Sequence, residues 1–358
     1  MAKITGAQIT VRLLEQQGIK VVAGIPGGST LPLYDELAKS SLKHILVRHE
    51  QAAGFFAQGI SRTKDEVGVC LATSGPGAMN LLTAIADARA DSIALVAITG
   101  QVNSSLIGTD AFQEADTFGL SFPITKHSIL VKSAEELISA IPLAFTIARS
   151  GRKGPVLIDI PRDVQLQSVD IELPSDIDTS SKLCTKYATS EEDFAEKIAK
   201  TAELIQKRSD VVLYIGGGCN NPETAFAVKA FLDVCPMPTV TSLMGIGCIP
   251  FDHPCNCGMI GMHGTMTANR VMHDADLVLA IGTRFDDRAT GLIAKFCPKA
   301  TIVHVDVDAA EVNKIFSADI AIVGEAQGFF TALTKTVQKQ GIKGVDITEY
   351  TKLRRAEF

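Results

Sequence analysis

Apolar runs that alternate with helical patterns, each run closed by a turn of glycine, proline or small polar residues, constrain this chain more than any other feature. In the first half the runs fall at 21–26, 44–49, 67–73, 92–100, 129–132 and 155–160. Amphipathic stretches separate them: 7–17, with Thr5 as its N-cap, then 31–39, 51–61, 78–90 and 134–148. A strand buried on one face alternates polar and apolar residues, whereas a strand buried on both reads as an unbroken apolar run, as 93–98 does. The pattern predicts an α/β fold with a doubly wound, mainly parallel sheet covered by helices on both sides.

Between 166 and 190 the alternation breaks into Ser, Asp, Pro and Thr with scattered charges, which predicts an interdomain linker. It resumes with a helix at 195–206 and strands at 211–216, 239–242, 275–281, 301–307 and 320–323, so a second nucleotide-binding-like α/β domain is expected over 191–340. The tail, 341–358, is charged and weakly periodic and reads as the beginning of a linker. A chain of 358 residues has room for two such domains, each with its own core.

Hydrophobic residues make up 46% and charged residues 21%, which excludes a disordered chain. The net charge of -6 has no basic cluster to set against it, so no nucleic-acid partner is expected. No apolar stretch approaches the roughly 18 residues of a membrane span, and the N-terminus lacks a signal peptide's apolar core, so the expected location is cytoplasmic, away from membranes. Most of the eight cysteines sit in apolar runs, as Cys70 and Cys297 do, and predict free thiols. Cys255-Asn256-Cys257, near His253 and His263, lacks both the zinc spacing and a second pair; it is expected to be an ordinary loop, with no metal in this chain.

Glu50 carries the sharpest chemical signal. An apolar strand delivers its carboxylate onto the start of an alanine-rich helix, where burial is costly unless something hydrogen-bonds to it. The competing reading is a solvated cluster of Arg48, His49 and Glu50. Glycine turns follow strands at Gly24-Ile25-Pro26-Gly27-Gly28 and Ser74-Gly75-Pro76-Gly77, and each taken singly is also an ordinary βα turn. In the second half Gly216-Gly217-Gly218 permits close approach of a phosphate or sugar without forming G-x-G-x-x-G. Arg284-Phe285-Asp286-Asp287-Arg288 reads either as a pyrophosphate clamp or as a surface salt-bridge network.

Together GIPGG (24–28), RHEQAA (48–53), SGPGAMN (74–80), ITGQV (98–102), IGTDAFQEAD (107–116), ITKH (124–127), GPVLIDIPRDVQ (154–165), GMIGMHGT (258–265), IGTRFDDRATG (281–291) and HVDVD (304–308) resemble the thiamine-diphosphate (ThDP) enzymes. Among these the resemblance is to the catalytic large subunits of acetohydroxyacid synthase, also called acetolactate synthase. It implies a pyrimidine-binding domain over 1–165, a linker over 166–190, a central FAD-binding domain over 191–340 and a truncated linker tail over 341–358. The implied reaction is decarboxylation of pyruvate and condensation with a second 2-oxo acid, pyruvate or 2-oxobutyrate, in branched-chain amino acid synthesis. A homo-oligomer, such as a dimer, and a small regulatory subunit are the implied partners.

Residue by residue, the resemblance implies that Glu50 hydrogen-bonds the far pyrimidine nitrogen of ThDP and so turns the cofactor's 4'-nitrogen into a base. Ile25, Pro26, Gly27 and Gly28 would line the pyrimidine pocket, and Pro76, Asn80 and Gln101 would approach the cofactor. Phe112, Gln113 and Lys126 would flank the substrate channel. A structural FAD would meet Arg152, Gly216, Gly217, Gly218, Ser242, Leu243, Gly261, Met262, His263, Gly282, Arg284, Asp286, Arg288, Asp306 and Glu325, the last standing where the family usually has aspartate. Mg²⁺ and the diphosphate are held in this family by a Gly-Asp-Gly motif on a third domain, and no Gly-Asp dipeptide occurs in these 358 residues. The C-terminal diphosphate-binding domain is therefore expected to be absent and the chain to be inactive alone. Two alternatives stand beside this: a non-catalytic FAD- or nucleotide-binding homologue acting as an assembly partner, and a related enzyme such as glyoxylate carboligase or pyruvate oxidase.

Overall fold

Thr5 caps the first helix reciprocally: its hydroxyl accepts the Gln8 N–H at 3.2 Å while the Gln8 amide oxygen accepts the Thr5 N–H at 3.1 Å. From there the computed structural model describes residues 3–357 apart from 176, 179–182 and 184–186, together with all side chains among them except that of Arg355. The chain divides into two compact units, Met1–Cys184 and Thr185–Phe358.

The first unit runs β1 (Ile4–Thr5), α1 (Gly6–Gln16), β2 (Val21–Gly24), α2 (Leu31–Leu37), β3 (Lys43–Leu46), α3 (Glu50–Lys64), β4 (Gly68–Ala72) and α4 (Pro76–Ala90). It continues through β5 (Leu95–Gln101), α5 (Thr117–Ser121), β6 (His127–Leu130), α6 (Leu137–Arg149), β7 (Pro155–Pro161), α7 (Arg162–Leu166) and β8 (Ser168–Val169). The main sheet has the order β3-β2-β4-β5-β7-β6 with every pairing parallel. Every residue of β4, β5 and β7 is buried, which is why their sequences read as mainly apolar runs, interrupted toward their ends by Thr99 and Gln101 in β5 and by Asp159 in β7. Val96, Ile98, Val156 and Ile158 face a core with Leu13 of α1 and Phe145 of α6. Leu95, Ala97 and Leu157 face the other, with Ala53 and Ala57 of α3 and Leu81 and Ile85 of α4. Each large apolar side chain so buried contributes about 1.5–3 kcal/mol.

The second unit holds α8 (Glu191–Lys207), β9 (Val211–Ile215), α9 (Pro222–Val234), β10 (Thr239–Thr241), β11 (Asn256–Met259), α10 (Met266–Asp274) and β12 (Leu277–Ile281). After these come α11 (Asp287–Thr290), β13 (Thr301–Asp306), β14 (Ile320–Val323), α12 (Ala326–Gln340) and α13 (Thr348–Glu357). Its sheet, ordered β11-β10-β9-β12-β13-β14, is also parallel throughout. No described helix is long and apolar enough to cross a membrane.

Three segments differ from the expected pattern. Residues 255–257, expected as a loop, enter the edge strand β11 with Cys255 and Cys257 both buried; Asn256-Cys257-Gly258-Met259 has no β-branched residue to announce a strand. Part of the expected linker forms β8, which pairs antiparallel with β1, while 176, 179–182 and 184–186 lie outside the described residues. The expected tail forms α13, held by polar contacts to distant residues that no periodicity reveals. Thr351 Oγ1 donates to Pro254 O at 3.1 Å, and Glu357 accepts from Thr267 N at 3.1 Å and Thr267 Oγ1 at 2.7 Å. Arg354 is buried, donates to Asn256 O and lies 4.5 Å over the Phe251 ring.

Candidate functional site

In a parallel sheet all strands deliver their following turns to one edge, and a ligand crevice opens where neighbouring strands send the chain in opposite directions. In the first unit that point lies between β2, which leads to β3, and β4, which leads to β5. The two glycine turns leave these two strands. Ser29 joins them from beneath: its Oγ lies 2.8 Å from Thr73 Oγ1 and accepts the Ser74 N–H at 2.9 Å. Gln165 fixes Ser29 in turn, donating to its carbonyl at 2.7 Å. Gly27 therefore lies against Thr73, where a Cβ would fall 2.5 Å from its side chain, and Gly28 has open space where a side chain would be; Ile25 and Pro26 belong to the turn after β2 and Pro76 to the turn after β4.

Glu50 is the first residue of α3, whose N-cap, His49, accepts the Gln51 N–H on Nδ1 at 3.1 Å. Asn80, one turn into α4, donates from Nδ2 to Glu50 Oε2 at 2.9 Å. Glu50 Oε1 accepts no hydrogen bond among the described residues, and a Cβ on Gly77 would stand 3.4 Å from it. One carboxylate oxygen is thus held and the other left open beside Gly77 in the first turn of α4. The Glu50 charge also acts on Tyr34, whose phenol, pushed up chiefly by burial and further by Cys70 and Glu50, stays neutral.

The loop 103–116 closes over the β4 turn. Gly75 has φ +56°, and a Cβ there would stand 2.5 Å from the carbonyl oxygen of Gln113, itself at φ +58°. Gln113 thus touches the turn, and Phe112 beside it is 88% exposed. Glu114 ties the loop, accepting from the Gly108 N–H, from Thr109 N at 3.2 Å and from Ala111 N at 3.1 Å. These bonds, that from Gly108 foremost, hold its carboxyl below the usual range. A depressed value means that loop order is present above the ordinary Glu range and is lost as pH falls through the depressed one. Glu114→Ala is accordingly expected to raise proteolytic cleavage within 103–116 several-fold with little change in melting temperature; unchanged cleavage would count against this clamp.

Two expected site residues lie elsewhere. Gln101 is buried, and its amide is consumed by Asp159, Ala115 O and Val102 N rather than facing the crevice. Lys126 precedes β6 at the opposite edge of the sheet, where its amine donates to Ile147 O and, at 2.5 Å, to Ser150 O, closing the C-terminus of α6. Arg152 also belongs to the first unit, donating from Nε to Ser92 Oγ at 2.8 Å.

In the second unit the switch point lies between β9 and β12, and Gly216-Gly217-Gly218 and Gly282 meet there. Gly218 N donates to Gly282 O at 3.0 Å, and a Cβ on Gly216 would fall 2.0 Å from that same oxygen. Ser242 and Leu243 follow β10, and Gly261, Met262 and His263 follow β11. Arg284 follows β12, Asp306 ends β13 and Glu325 follows β14. The expected flavin residues of this unit thus line one edge, with Leu243 and Met262 exposed as apolar surface. Asp286 has a local duty: as N-cap of α11 its Oδ1 accepts from Arg288 N and Ala289 N, both at 3.1 Å.

Ser29, Thr73 and Gly77, which the sequence reading did not single out, shape the candidate crevice. A hydroxyl residue beside each glycine turn was the available signal for the first two.

Residues 4–120 match the family described as thiamine pyrophosphate enzyme, N-terminal TPP binding domain, and residues 198–333 match thiamine pyrophosphate enzyme, central domain. The chain is 49% identical over 340 residues to the acetolactate synthase isozyme 1 large subunit of Escherichia coli (strain K12), covering 94% of this chain and 59% of that one. It is 44% identical over 360 residues to the acetolactate synthase large subunit of Corynebacterium glutamicum, covering 99% and 57%. To the isozyme 2 large subunit of Escherichia coli (strain K12) it is 44% identical over 336 residues, covering 94% and 60%. The chain therefore spans somewhat more than half the length of these relatives.

Proposed function

This chain belongs to the thiamine pyrophosphate enzymes, with their N-terminal and central domains, and from that premise we propose that it forms part of an acetolactate synthase. The reaction is decarboxylation of pyruvate and transfer of the two-carbon unit to a second pyruvate or to 2-oxobutyrate. The observation that carries this reading is Glu50, one oxygen anchored by Asn80 and the other open at the β2/β4 crevice between two glycine turns. When bound, ThDP supplies the electron sink for decarboxylation. Glu50 would hold a proton at its open Oε1, Asn80 fixes the carboxylate's orientation, and the turn from Ile25 to Gly28, open where Gly28 lacks a side chain, would let a flat ring lie against backbone. Gln113, whose carbonyl lies against Gly75, brings the 103–116 loop and the exposed Phe112 to the same crevice.

The donor set at the second sheet's edge fits a flavin dinucleotide. Gly216 to Gly218 and Gly282 bring the backbone ends of β9 and β12 into contact at the switch point, Arg284 and Arg288 carry guanidinium groups for a pyrophosphate, and Asp306 sits at a strand end suited to a ribose hydroxyl. On this reading the ThDP site lies within 1–165, the flavin site within 191–340, and the ligands of Mg²⁺ and the diphosphate outside these 358 residues. Exposed Phe55 and Phe56 of α3, Met79 of α4 and Phe118 of α5 support association of copies through the first unit. A cytoplasmic setting completes the proposal.

The test is acetolactate formation from pyruvate with ThDP, Mg²⁺ and FAD, by this chain alone and together with a chain supplying a Gly-Asp-Gly domain. Turnover with the second chain, and flavin retained by the first, are expected. An assembled pair that holds flavin yet forms no acetolactate would overturn the catalytic reading.

A further inference from the structure

Asp159 is the one carboxylate within β4, β5 and β7, and it is 1% exposed. It pairs in register with Thr99 of β5 and Leu130 of β6 near the C-terminal end of the sheet. Thr99 Oγ1 donates to its Oδ1 at 2.8 Å and Gln101 Nε2 to its Oδ2 at 3.0 Å. Gln101 Nε2 also donates to Ala115 O at 2.8 Å, while its Oε1 accepts Val102 N at 2.9 Å. The side chain of Gln101 is thus a strut between a buried carboxylate and the end of the 103–116 loop. Two residues before Ala115, Gln113 lays its carbonyl against Gly75 in the turn that opens α4.

We propose that Asp159 is a positioning residue: its carboxylate, acting through Gln101, sets the 103–116 loop against the glycine turn after β4, and protonating it loosens that loop. An ionised carboxylate only accepts, which suits two donors pointed at it. Protonation replaces two charge-assisted bonds with neutral ones and adds a hydrogen where donors already point. The importance of the loop to catalysis rests on the function proposed above; its order does not.

The surroundings set where this titration falls. Leu95, Ala97 and Leu157 share the face, under Leu81 and Ile85 of α4. The charged group that acts on Asp159 is Asp116, the N-cap of α5. Asp87 and Arg89 lie toward the C-terminal end of α4, and Arg149 ends α6. His127 begins β6 at the far edge of the sheet, and on α7 Arg162 is exposed while Asp163 is engaged by Ser104. Burial raises the Asp159 carboxyl to about 7; the bonds from Thr99 and Gln101 oppose the rise and Asp116 adds to it. With the folded value above the unfolded one, its contribution to stability is full below the ordinary Asp range and is lost as pH rises through about 7. The chain therefore orders the loop at some cost to global stability. Glu114, the other carboxylate tying the loop, is held below its usual range and titrates outside this window.

The test is amide hydrogen exchange of the unliganded 358-residue chain from about pH 5.5 to 8.5, with intrinsic rates divided out. Protection of residues 108–115 is expected to rise about tenfold across a midpoint near neutrality, the order of change that loss of charge assistance produces. In Asp159→Asn the rise should vanish. In Asp116→Asn, which keeps the α5 cap but removes the like charge, the midpoint should move to lower pH. Equal protection at both ends of the range in the unmodified chain, or a pH-dependent rise persisting in Asp159→Asn, overturns the proposal. Should Asp159→Asn not fold, an unmoved midpoint in Asp116→Asn overturns it equally. The readout needs no turnover, so a failure of the catalytic reading leaves a separate signature.

Discussion

Glu50→Gln is expected to lower acetolactate formation by the assembled enzyme about 10²–10⁴-fold, the range over which positioned proton transfer contributes to a rate. The loss should come from chemistry and not from unfolding. Glutamine has the same shape, and its amide oxygen still accepts from Asn80, whose Nδ2 lies 2.9 Å from the present carboxylate. What disappears is the capacity of the open oxygen, beside Gly77, to hold and return a proton. Melting temperature and ThDP affinity should therefore change little while turnover collapses. Glu50→Asp keeps the carboxyl group but withdraws it by one methylene from both Asn80 and the crevice, so it should fall between the two. Turnover by Glu50→Gln within about threefold of the unmodified chain would remove Glu50 from the mechanism.

The sheets were legible because their central strands are buried on both faces and so cannot alternate, and the crevices because glycine turns follow the strands that flank each switch point. Glu50 was legible for a related reason, since a carboxylate at the end of an apolar strand needs a partner, and Asn80 provides it. Residues whose partners are backbone were not. Lys126 sits in a motif that placed it at a substrate channel, yet its amine closes α6 on carbonyl oxygens that any sequence would present. Gln101 is similar: its amide is satisfied by the neighbouring strand and by its own following peptide. Asp159 did leave a signal, a lone charge inside Val156-Leu157-Ile158-Asp159-Ile160, but only the register of β5 against β7 supplies its partners. The strand β11 and helix α13 were invisible because weak strand formers and distant polar contacts carry no local period.

Gly216→Ala is expected to destabilise the second unit by about 3 kcal/mol or more, lowering its melting temperature by roughly 10 °C, and to abolish flavin retention. The added Cβ would fall 2.0 Å from Gly282 O, 2.5 Å from Gly282 C and 2.5 Å from Thr283 Cα. All three are backbone atoms, so no flexible side chain can swing away; the ends of β9 and β12 must part instead. Parting them strains the bond from Gly218 N to Gly282 O, 3.0 Å long, and widens the crevice where the flavin phosphates are proposed to sit. Gly328 in α12 is the control of opposite sign. A Cβ there meets nothing within 4 Å, so Gly328→Ala should stabilise the helix by about 0.5–1 kcal/mol and leave flavin absorbance unchanged. Thermal melts and bound-flavin spectra on both variants separate a crevice that depends on backbone contact from a surface that tolerates a methyl group. Retention of flavin at full occupancy by Gly216→Ala would mean that the dinucleotide binds away from this switch point.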